Sequence, residues 1–356
     1  MKAIHQFVAS FRPADAISNE ALVIRKLLRS WGYRSEIFAE TQVSLPGSGP
    51  GIKDLRDCGE IASGDAVLLH LSSGSRANTV FKSIECRKAL LYHNITPPEF
   101  FRGLQEQAAM AMRRGREQME RLAGAAEVVL ADSTFNADEL VAAGFGEVET
   151  MPLLLDFDMI AAKPDRRMLA RLDDGKLNIL FVGRCAPNKR LEDAVAALYY
   201  LKNYIEPEAR LIHAGSSVGM EQYHALLMTR VRNLGLTGVE LLGEVTQSEL
   251  SACYRAATVF LCMSEHEGFC IPLLEAMAHD LPILAYDAGA VGETLAGSGV
   301  LFAEKRFDEL AEMIRELARN DELRKSVIDG QRRRLEEYRR RDLESELRGH
   351  LAPLLE

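Results

Sequence analysis

Short apolar runs alternate with amphipathic stretches along the whole chain. Apolar residues at helical spacing lie at 20–31, 98–123, 191–201, 221–234 and 307–320. Runs with the length and residue types of buried strands lie between and around them, at 3–9, 66–71, 89–92, 128–130, 178–182, 210–214, 239–242, 259–263, 283–286 and 300–302. Because strands and helices alternate, the pattern predicts an α/β protein with parallel sheets covered on both faces.

The alternation pauses once, at 151–176, where Pro, Asp and Arg are mixed before the apolar run LNILFVG. A chain of 356 residues is long enough for two domains that each close their own core. We therefore predict a Rossmann-like N-terminal domain at 1–160 and a Rossmann-like C-terminal domain at 161–335. The last stretch, 336–356, is predicted to be a helix that crosses back to the N-terminal domain.

Composition narrows the class of protein. Hydrophobic residues make up 47% and charged residues 27%, as in ordinary globular proteins, and no apolar run reaches the ~18 to 20 residues of a membrane helix. The N-terminus lacks the features of a signal peptide. The six cysteines show no CxxC and no metal-ligand pairing, which favours reduced thiols in a cytoplasmic protein. The net charge of −9 argues against nucleic acid as a partner.

One stretch leaves a question about membranes open. Segment 102–121 holds five Arg, three Glu and several Met. It is either the solvated face of a helix, the reading we favour, or a weak peripheral contact of the N-terminal domain with the inner face of a membrane.

The segment SEHEGFCIPLLEAM at 264–277 has the most chemical content. An apolar strand leads into a polar loop, and Pro272 stands where a helix would begin. The loop amides would then lie at a helix N-terminus, which favours a phosphate. Glu267 in the loop and Glu275 in the first helical turn flank them. Either glutamate alone has an ordinary explanation, since loop carboxylates are usually solvated and the helix dipole favours Glu in a first turn.

A second segment, LNILFVGRCAPNKRLEDAVAAL at 177–198, predicts a strand, a glycine turn and a helix. Arg184 and Lys189 follow the strand, at the edge of the sheet where open α/β folds bind ligands. Two cations there suit a pyrophosphate leaving group, although a solvated basic turn would look the same.

Both segments resemble the retaining GT-B glycosyltransferases of family four, the glycosyl transferases group 1. The resemblance implies that Glu267 contacts the transferred sugar and that Glu275 binds the ribose of the nucleotide. It further implies that loop residues Phe269, Cys270 and Ile271 hold the donor through their amides. Cys270 and Ile271 stand where the family commonly has Gly and Leu.

The resemblance assigns the cations as well. It implies that Arg184 and Lys189, which follow Gly183 at the family's spacing, neutralise the diphosphate. Gly215 in LIHAGSS and the turn with Gly243 and Val245 in LLGEVTQSEL are similar to the family's nucleobase-lining positions.

Two matches in the first half are less specific. In ALLYHNITPP, His93 ends a predicted strand near where the family has a histidine close to the sugar. A lone histidine is as often structural. In RPADAISNEAL, Asp15 and Ala16 resemble the loop that closes over the donor, but Ala14 replaces a glycine.

Two competing motifs are weaker. Asp156-Phe157-Asp158 is a literal DxD, the metal motif of GT-A enzymes, but it lies at the predicted linker and such matches are common by chance. The run DAGAVG at 287–292 follows a strand but lacks the first glycine of the dinucleotide-binding fingerprint.

The resemblance thus implies a GT-B fold, with two Rossmann-like parallel-sheet domains facing a central cleft. The expected enzyme is a retaining, metal-independent glycosyltransferase (a hexosyltransferase of polysaccharide biosynthesis) that needs no cofactor beyond its nucleotide-diphosphate-sugar donor. The acceptor would be a hydroxyl of a glycan, a lipid-linked saccharide or a small molecule. A nucleotide-sugar epimerase or synthase of the same fold, and a non-catalytic nucleotide-sugar-binding module, stay open as alternatives.

Overall fold

A computed structural model describes residues 2–12, 15–42 and 51–355. The chain divides into two units. Unit 1 comprises 1–99, 107–156 and 342–356, and unit 2 comprises 100–106 and 157–341. The end of the chain therefore belongs to the same unit as its beginning.

In the described part of unit 1, seven parallel strands lie in the order β3-β2-β1-β4-β5-β6-β7. These strands are β1 (Ile4–Phe11), β2 (Ile37–Gln42), β3 (Ile52–Asp54), β4 (Ala66–Leu71), β5 (Arg87–Tyr92), β6 (Val128–Ala131) and β7 (Glu149–Thr150). The helices are α1 (Ala16–Ser30), α2 (Arg76–Ser83), α3 (Glu106–Arg121), α4 (Thr134–Ala142) and, from the end of the chain, α14 (Leu343–His350) and α15 (Ala352–Leu355), with 3-10 turns at Leu55–Glu60 and Pro98–Phe100.

The sheet of unit 1 is covered on both faces, as the continuous apolar strands predict. All six residues of β4 are buried. Val67 and Leu69 pack into one hydrophobic cluster, while Leu68 packs into another on the opposite face. Leu347 and Leu351 of the C-terminal helices belong to the second cluster. Burial of these leucines explains why 342–356 belongs to unit 1.

Helix α3 covers most of the Arg-rich stretch. It buries Ala109, Gly115 and Met119. A Cβ on Gly115 would lie 2.7 Å from the backbone nitrogen of Gly74, so this helix packs directly against backbone. Within the described ranges, no helix is both long enough and apolar enough to cross a membrane.

Unit 2 contains six parallel strands in the order β10-β9-β8-β11-β12-β13. These strands are β8 (Asn178–Val182), β9 (Arg210–Ala214), β10 (Val239–Gly243), β11 (Val259–Cys262), β12 (Ile283–Tyr286) and β13 (Val300–Phe302). The helices are α5 (Phe157–Ile160), α6 (Arg166–Leu172), α7 (Leu191–Tyr204), α8 (Glu221–Asn233), α9 (Gln247–Ala256), α10 (Ile271–Ala278), α11 (Val291–Leu295), α12 (Phe307–Arg319) and α13 (Asp321–Arg340), with a 3-10 turn at Pro187–Lys189.

The predicted fold class of two parallel-sheet α/β domains is confirmed. Each sheet reverses its strand order at one place, between β1 and β4 in unit 1 and between β8 and β11 in unit 2. In open α/β sheets, ligands bind beyond the carboxyl ends of the strands at such a point. The order of strands therefore directs attention to the loops that follow β8 and β11.

Candidate functional site

Three strand ends of unit 2 are joined by backbone hydrogen bonds. Gly183 follows β8 and donates its N–H to Ala214 O at 3.0 Å, while Gly215 follows β9 and donates to Gly243 O at 2.8 Å. A Cβ on Gly215 would lie 1.8 Å from the carbonyl oxygen of Gly183. No side chain fits there, so the backbones of these two strand ends lie in direct contact.

Lys189 and Glu267 form an ion pair across the β8–β11 reversal. The Nζ of Lys189 lies 2.6 Å from Oε1 of Glu267, and their side chains are 23% and 9% exposed. Burial lowers the pKa of Lys189, but the Glu267 carboxylate and the neighbouring Cys270 and Cys262 together raise it by more, so the ammonium stays charged. The two loops are also tied together by Asn188, whose O accepts from Glu265 N at 2.9 Å and whose Nδ2 donates to His266 O.

The loop after β11 is held by backbone contacts on its far side. Ala290 N donates to Glu267 O at 2.9 Å, and the Thr294 hydroxyl donates to Phe269 O. A Cβ on Gly289 would lie 2.5 Å from Glu267 O, so a glycine is required for this approach. Cys270 adopts φ 73° and caps α10. The amides of the loop therefore lie at a fixed helix N-terminus, where the helix dipole favours an anion.

Glu275 lies in the second turn of α10, because the helix begins at Ile271. The prediction that Pro272 opens the helix and that Glu275 falls in its first turn was wrong by one residue. The carboxylate accepts a hydrogen bond of 2.7 Å from the Tyr254 hydroxyl. Burial raises the pKa of Glu275, and this hydrogen bond only partly opposes the rise. The Tyr254 ring stacks on His279 with centroids 4.9 Å apart, which fixes the hydroxyl in place.

The remaining predicted residues of unit 2 lie at the same edge. Arg184 is exposed in the loop after β8, and its Nη2 donates to Val218 O at 3.2 Å. Val245 is partly buried between β10 and α9. Helix α9 starts there with a capping box formed by Thr246 and Glu249. Strand ends β8 to β11 thus bring Arg184, Lys189, Glu267, the glycines and Val245 to one edge of unit 2.

In unit 1, His93 follows β5 and is buried in a polar cluster. Its Nε2 lies 2.9 Å from Nδ1 of His70 and 3.6 Å from Oε2 of Glu20, and its Nδ1 lies 3.5 Å from Oδ2 of Asp132. Its side chain is 2% exposed. Burial lowers the pKa of His93, but the Asp132 and Glu20 carboxylates outweigh it and raise the pKa. Burial in turn raises the pKa of Glu20 to about 7.

Asp15 and Ala16 have a clear structural role. Asp15 caps α1, with Oδ2 accepting from Ser18 N at 3.0 Å and from Ser18 Oγ at 2.9 Å, and Ala16 is the first residue of the helix. Ala14, where the sequence departs from the family, lies outside the described residues.

The competing motifs take other places in the fold. Asp156 and Asp158 flank the start of the four-residue α5. Within 2–12, 15–42 and 51–355, the groups that could hold a metal are Glu20, His70 and His93, and Cys262, Glu267 and Cys270, so the DxD is in neither. Sequence spacing did not reveal the pairing of Cys262 with Cys270. The run DAGAVG follows β12, and its Gly289 accommodates the backbone of Glu267.

Several residues that shape the site were not predicted from the sequence. The burial of Glu20 could have been predicted, because it shares one face of α1 with the buried Ile24 and Leu28 at a spacing of four residues. Asp132 could have been predicted as a site residue, since it directly follows β6. Nothing in the sequence marks Tyr254 as a site residue, because a tyrosine in an amphipathic helix is common.

Residues 165–334 match the sequence model of the family described as "Glycosyl transferases group 1". The resemblance inferred from the sequence is therefore confirmed, and this segment of unit 2 is a domain of that family. Among curated relatives, a GDP-mannose-dependent alpha-mannosyltransferase of Mycobacterium tuberculosis is 31% identical over 166 residues, which are 46% of this chain and 40% of the relative. GDP-mannose:cellobiosyl-diphosphopolyprenol alpha-mannosyltransferase of Xanthomonas campestris is 33% identical over 143 residues, 39% of this chain and 37% of the relative. The matches span less than half the length of these relatives.

Solved structures match the whole chain. Sucrose-phosphate synthase from Thermosynechococcus elongatus has a TM-score of 0.75 at 17% identity, with 100% of this chain and 99% of that chain covered. Anabaena HepE in complex with UDP-glucose has a TM-score of 0.75 at 18% identity, with 99% of both chains covered. At this identity the likeness shows the fold, which is GT-B.

Glu275→Gln should unfold at a higher temperature than the parent at pH 7 and at nearly the same temperature at pH 4. Because burial raises the pKa of Glu275 above its unfolded value of 4.5, the folded parent binds more protons and loses stability as pH rises above that value. The neutral amide of Glu275→Gln does not titrate, so the variant does not lose this stability as the pH rises. Calorimetry at both pH values measures the difference in melting temperature between the variant and the parent. A change of about 1 kcal/mol in the free energy of unfolding shifts that temperature by about 2 to 4 °C. The exposed Glu244→Gln is the control, and a parent-like pH dependence of Glu275→Gln would contradict the burial argument.

Proposed function

We propose that this chain, with its glycosyl transferases group 1 domain, is a glycosyltransferase. It moves a sugar from a nucleotide-diphosphate sugar to a hydroxyl acceptor, with retention of the anomeric configuration and without a catalytic metal. The observation that carries the proposal is the Lys189–Glu267 pair of 2.6 Å beside the N-terminus of α10, at the carboxyl ends of β8 and β11. It combines a cation for phosphate, a carboxylate for sugar hydroxyls and backbone amides.

The diphosphate would bind to Lys189, Arg184 and the loop amides. Negative charge develops on the diphosphate as the anomeric bond breaks. Fixed cations and N–H groups stabilise that charge most strongly when they need no reorganisation. Lys189 is such a group, because its ammonium is already positioned by Glu267 and stays charged despite its burial.

The nucleoside would extend from the diphosphate toward Glu275 and the glycine edge. The Glu275 carboxylate, held by Tyr254, would accept hydrogen bonds from the ribose hydroxyls. Gly215, Gly243 and Val245 leave room for a flat base because two of the three positions have no side chain. GDP-mannose is the first donor to test, since two of the curated relatives are named as using it. HepE, a match at the level of fold, is titled as binding UDP-glucose.

The chemical step would be a displacement on the face from which the diphosphate leaves. The anomeric C–O bond to the diphosphate breaks, the acceptor oxygen forms the new bond, and a departing phosphate oxygen takes the acceptor proton. Glu267 would hold the sugar hydroxyls where positive charge develops on the ring. His93 would act from unit 1, where two carboxylates favour its imidazolium form. The acceptor would be a saccharide, a lipid-linked saccharide or a small molecule, and Asp15 and Ala16 would contact the donor.

Transfer should continue in the presence of EDTA. Lys189 and Arg184 supply the positive charge that a divalent metal supplies in metal-dependent transferases, so chelation removes nothing the reaction needs. The measurement is release of nucleoside diphosphate with and without EDTA, using GDP-mannose and UDP-glucose as donors. Loss of activity that Mn²⁺ restores would instead direct attention to Asp156 and Asp158.

The two glutamates should fail in different ways. Glu275→Ala removes a contact with the unreacting ribose, so it should raise the donor KM more than it lowers kcat. A hydrogen bond to a charged group contributes about 1.5 to 3 kcal/mol, so nucleoside diphosphate should bind roughly 10- to 150-fold more weakly. Glu267→Ala removes a group that faces the sugar, so the loss should fall mainly on kcat.

Calorimetry with free GDP or UDP separates the two roles, because these ligands carry the ribose but no sugar. Glu267→Gln, which keeps the volume and frees the Lys189 ammonium, should bind the nucleotide at least as well as the parent. Glu208→Gln serves as the control, because Glu208 is exposed and precedes β9, at the opposite end of that strand from Gly215. If Glu267→Gln loses the nucleotide and Glu275→Ala keeps it, the roles are reversed.

A further inference from the structure

Two buried cysteines meet beside the candidate phosphate loop. Cys262 is the last residue of β11 and Cys270 caps α10, and their Sγ atoms lie 4.0 Å apart. They are 4% and 7% exposed. Seven residues separate them in sequence, so the contact is made by the fold of the loop itself. A covalent bond between these sulfurs would join the two ends of that loop.

The surroundings of the pair favour a thiolate at Cys262, whereas the hydrogen bond from the neighbouring thiol and burial raise the pKa of Cys270. The Cys262, Glu267 and Cys270 side-chain ligand atoms all lie within 4.8 Å of one another. The Lys189 ammonium interacts electrostatically with both sulfurs, and Cys270 stands at the N-terminus of an eight-residue helix. A neighbouring ammonium and a helix N-terminus are the features that make a protein thiol reactive. The hydrogen bond between the thiols lowers the pKa of Cys262.

We propose that Cys262 and Cys270 are a reversible oxidation site whose internal disulfide weakens donor binding. One thiolate attacks a small-molecule disulfide, breaking its S–S bond, forming a mixed disulfide and releasing one thiol. The second thiolate then attacks the protein sulfur of the mixed disulfide and releases the second thiol. The protein loses two electrons and two protons, and the small disulfide gains both.

We expect closure of the disulfide to distort the loop. The sulfurs have to approach from 4.0 Å to about 2.05 Å. Thr294 fixes the carbonyl of Phe269, and Gly289 packs against the backbone of Glu267. The shift therefore falls on Gly268–Cys270 and on the Glu267 side chain. Since a displacement of about 1 Å near a reacting centre is costly, we expect nucleotide to bind at least about tenfold more weakly.

Mass spectrometry tests the modification directly. Trypsin releases 256–305 as one peptide, between Arg255 and Lys305, and it contains Cys262 and Cys270 and no other cysteine. After incubation of the full chain with oxidised glutathione, this peptide should be lighter by two hydrogen atoms and resist alkylation. Dithiothreitol should restore both thiols. A peptide that keeps two free thiols, or that stops at the mixed disulfide, overturns the proposal.

Two further measurements test the effect on the loop. Backbone hydrogen exchange over 264–271 should change on oxidation in the parent and in Cys253→Ala, a variant of another buried thiol of unit 2, but not in Cys262→Ala. Titration with GDP and UDP should show the tenfold loss in the same two proteins and none in Cys262→Ala. A disulfide that leaves exchange and affinity unchanged overturns the link to the loop.

The coupling to nucleotide rests on the proposed function, and the two can fail separately. If the reduced parent binds none of GDP, UDP and ADP, the proposed function fails, while the peptide mass and the hydrogen exchange still decide the oxidation site. If the reduced parent binds and the oxidised parent binds equally well, the oxidation proposal alone fails.

Discussion

A parallel sheet delivers every loop that follows a strand to the same edge, and the candidate site depends on this constraint. Lys189 and Glu267 are 78 residues apart in sequence. They meet because β8 and β11 are neighbours at the point where the strand order reverses. The glycine turns after β8, β9 and β10 reach the same edge by the same rule. The strand order of unit 2 therefore determines where the candidate site lies, and the side chains on the loops determine what it can bind.

The charged groups of this edge are held in place at a cost to the folded protein. A buried ion pair contributes little net stability, yet loss of one partner leaves a charge unpaired. Glu275 has its pKa raised by burial, and Glu20 in unit 1 has its pKa raised to about 7. Perturbed carboxylates of this kind cluster where a protein binds or transforms a ligand. Gly215 and Gly289 also shape this edge, because they allow close backbone approaches that no other residue could make.

The fold class could be predicted from the sequence because buried parallel strands are apolar throughout. The hydrophobic pattern predicted β4 and β8 over their whole length, whereas it missed β2, β3 and β7. Neither β3 nor β7 has a buried residue, since the three residues of β3 are half-buried and the two of β7 are exposed. Lys189 and Glu267 could be assigned because they follow strands in a familiar spacing. The partners of the site could not, since Tyr254 and Cys262 approach Glu275 and Cys270 only through tertiary packing. The position of His93 at a strand end could be predicted, whereas its contacts with the carboxylates of Glu20 and Asp132 depend on tertiary packing.

The central claim is that unit 2 binds a nucleoside diphosphate at Lys189 and the N-terminus of α10. Isothermal titration of GDP, UDP and ADP into the parent, Lys189→Met and Lys325→Met tests it most directly, since Lys325 is an exposed lysine of the same unit. The account predicts that at least one nucleotide binds the parent and the Lys325 variant equally. It should bind Lys189→Met roughly 10- to 150-fold more weakly, as expected for loss of a charged hydrogen bond. Binding of none of the three, or equal binding to all three proteins, would contradict it.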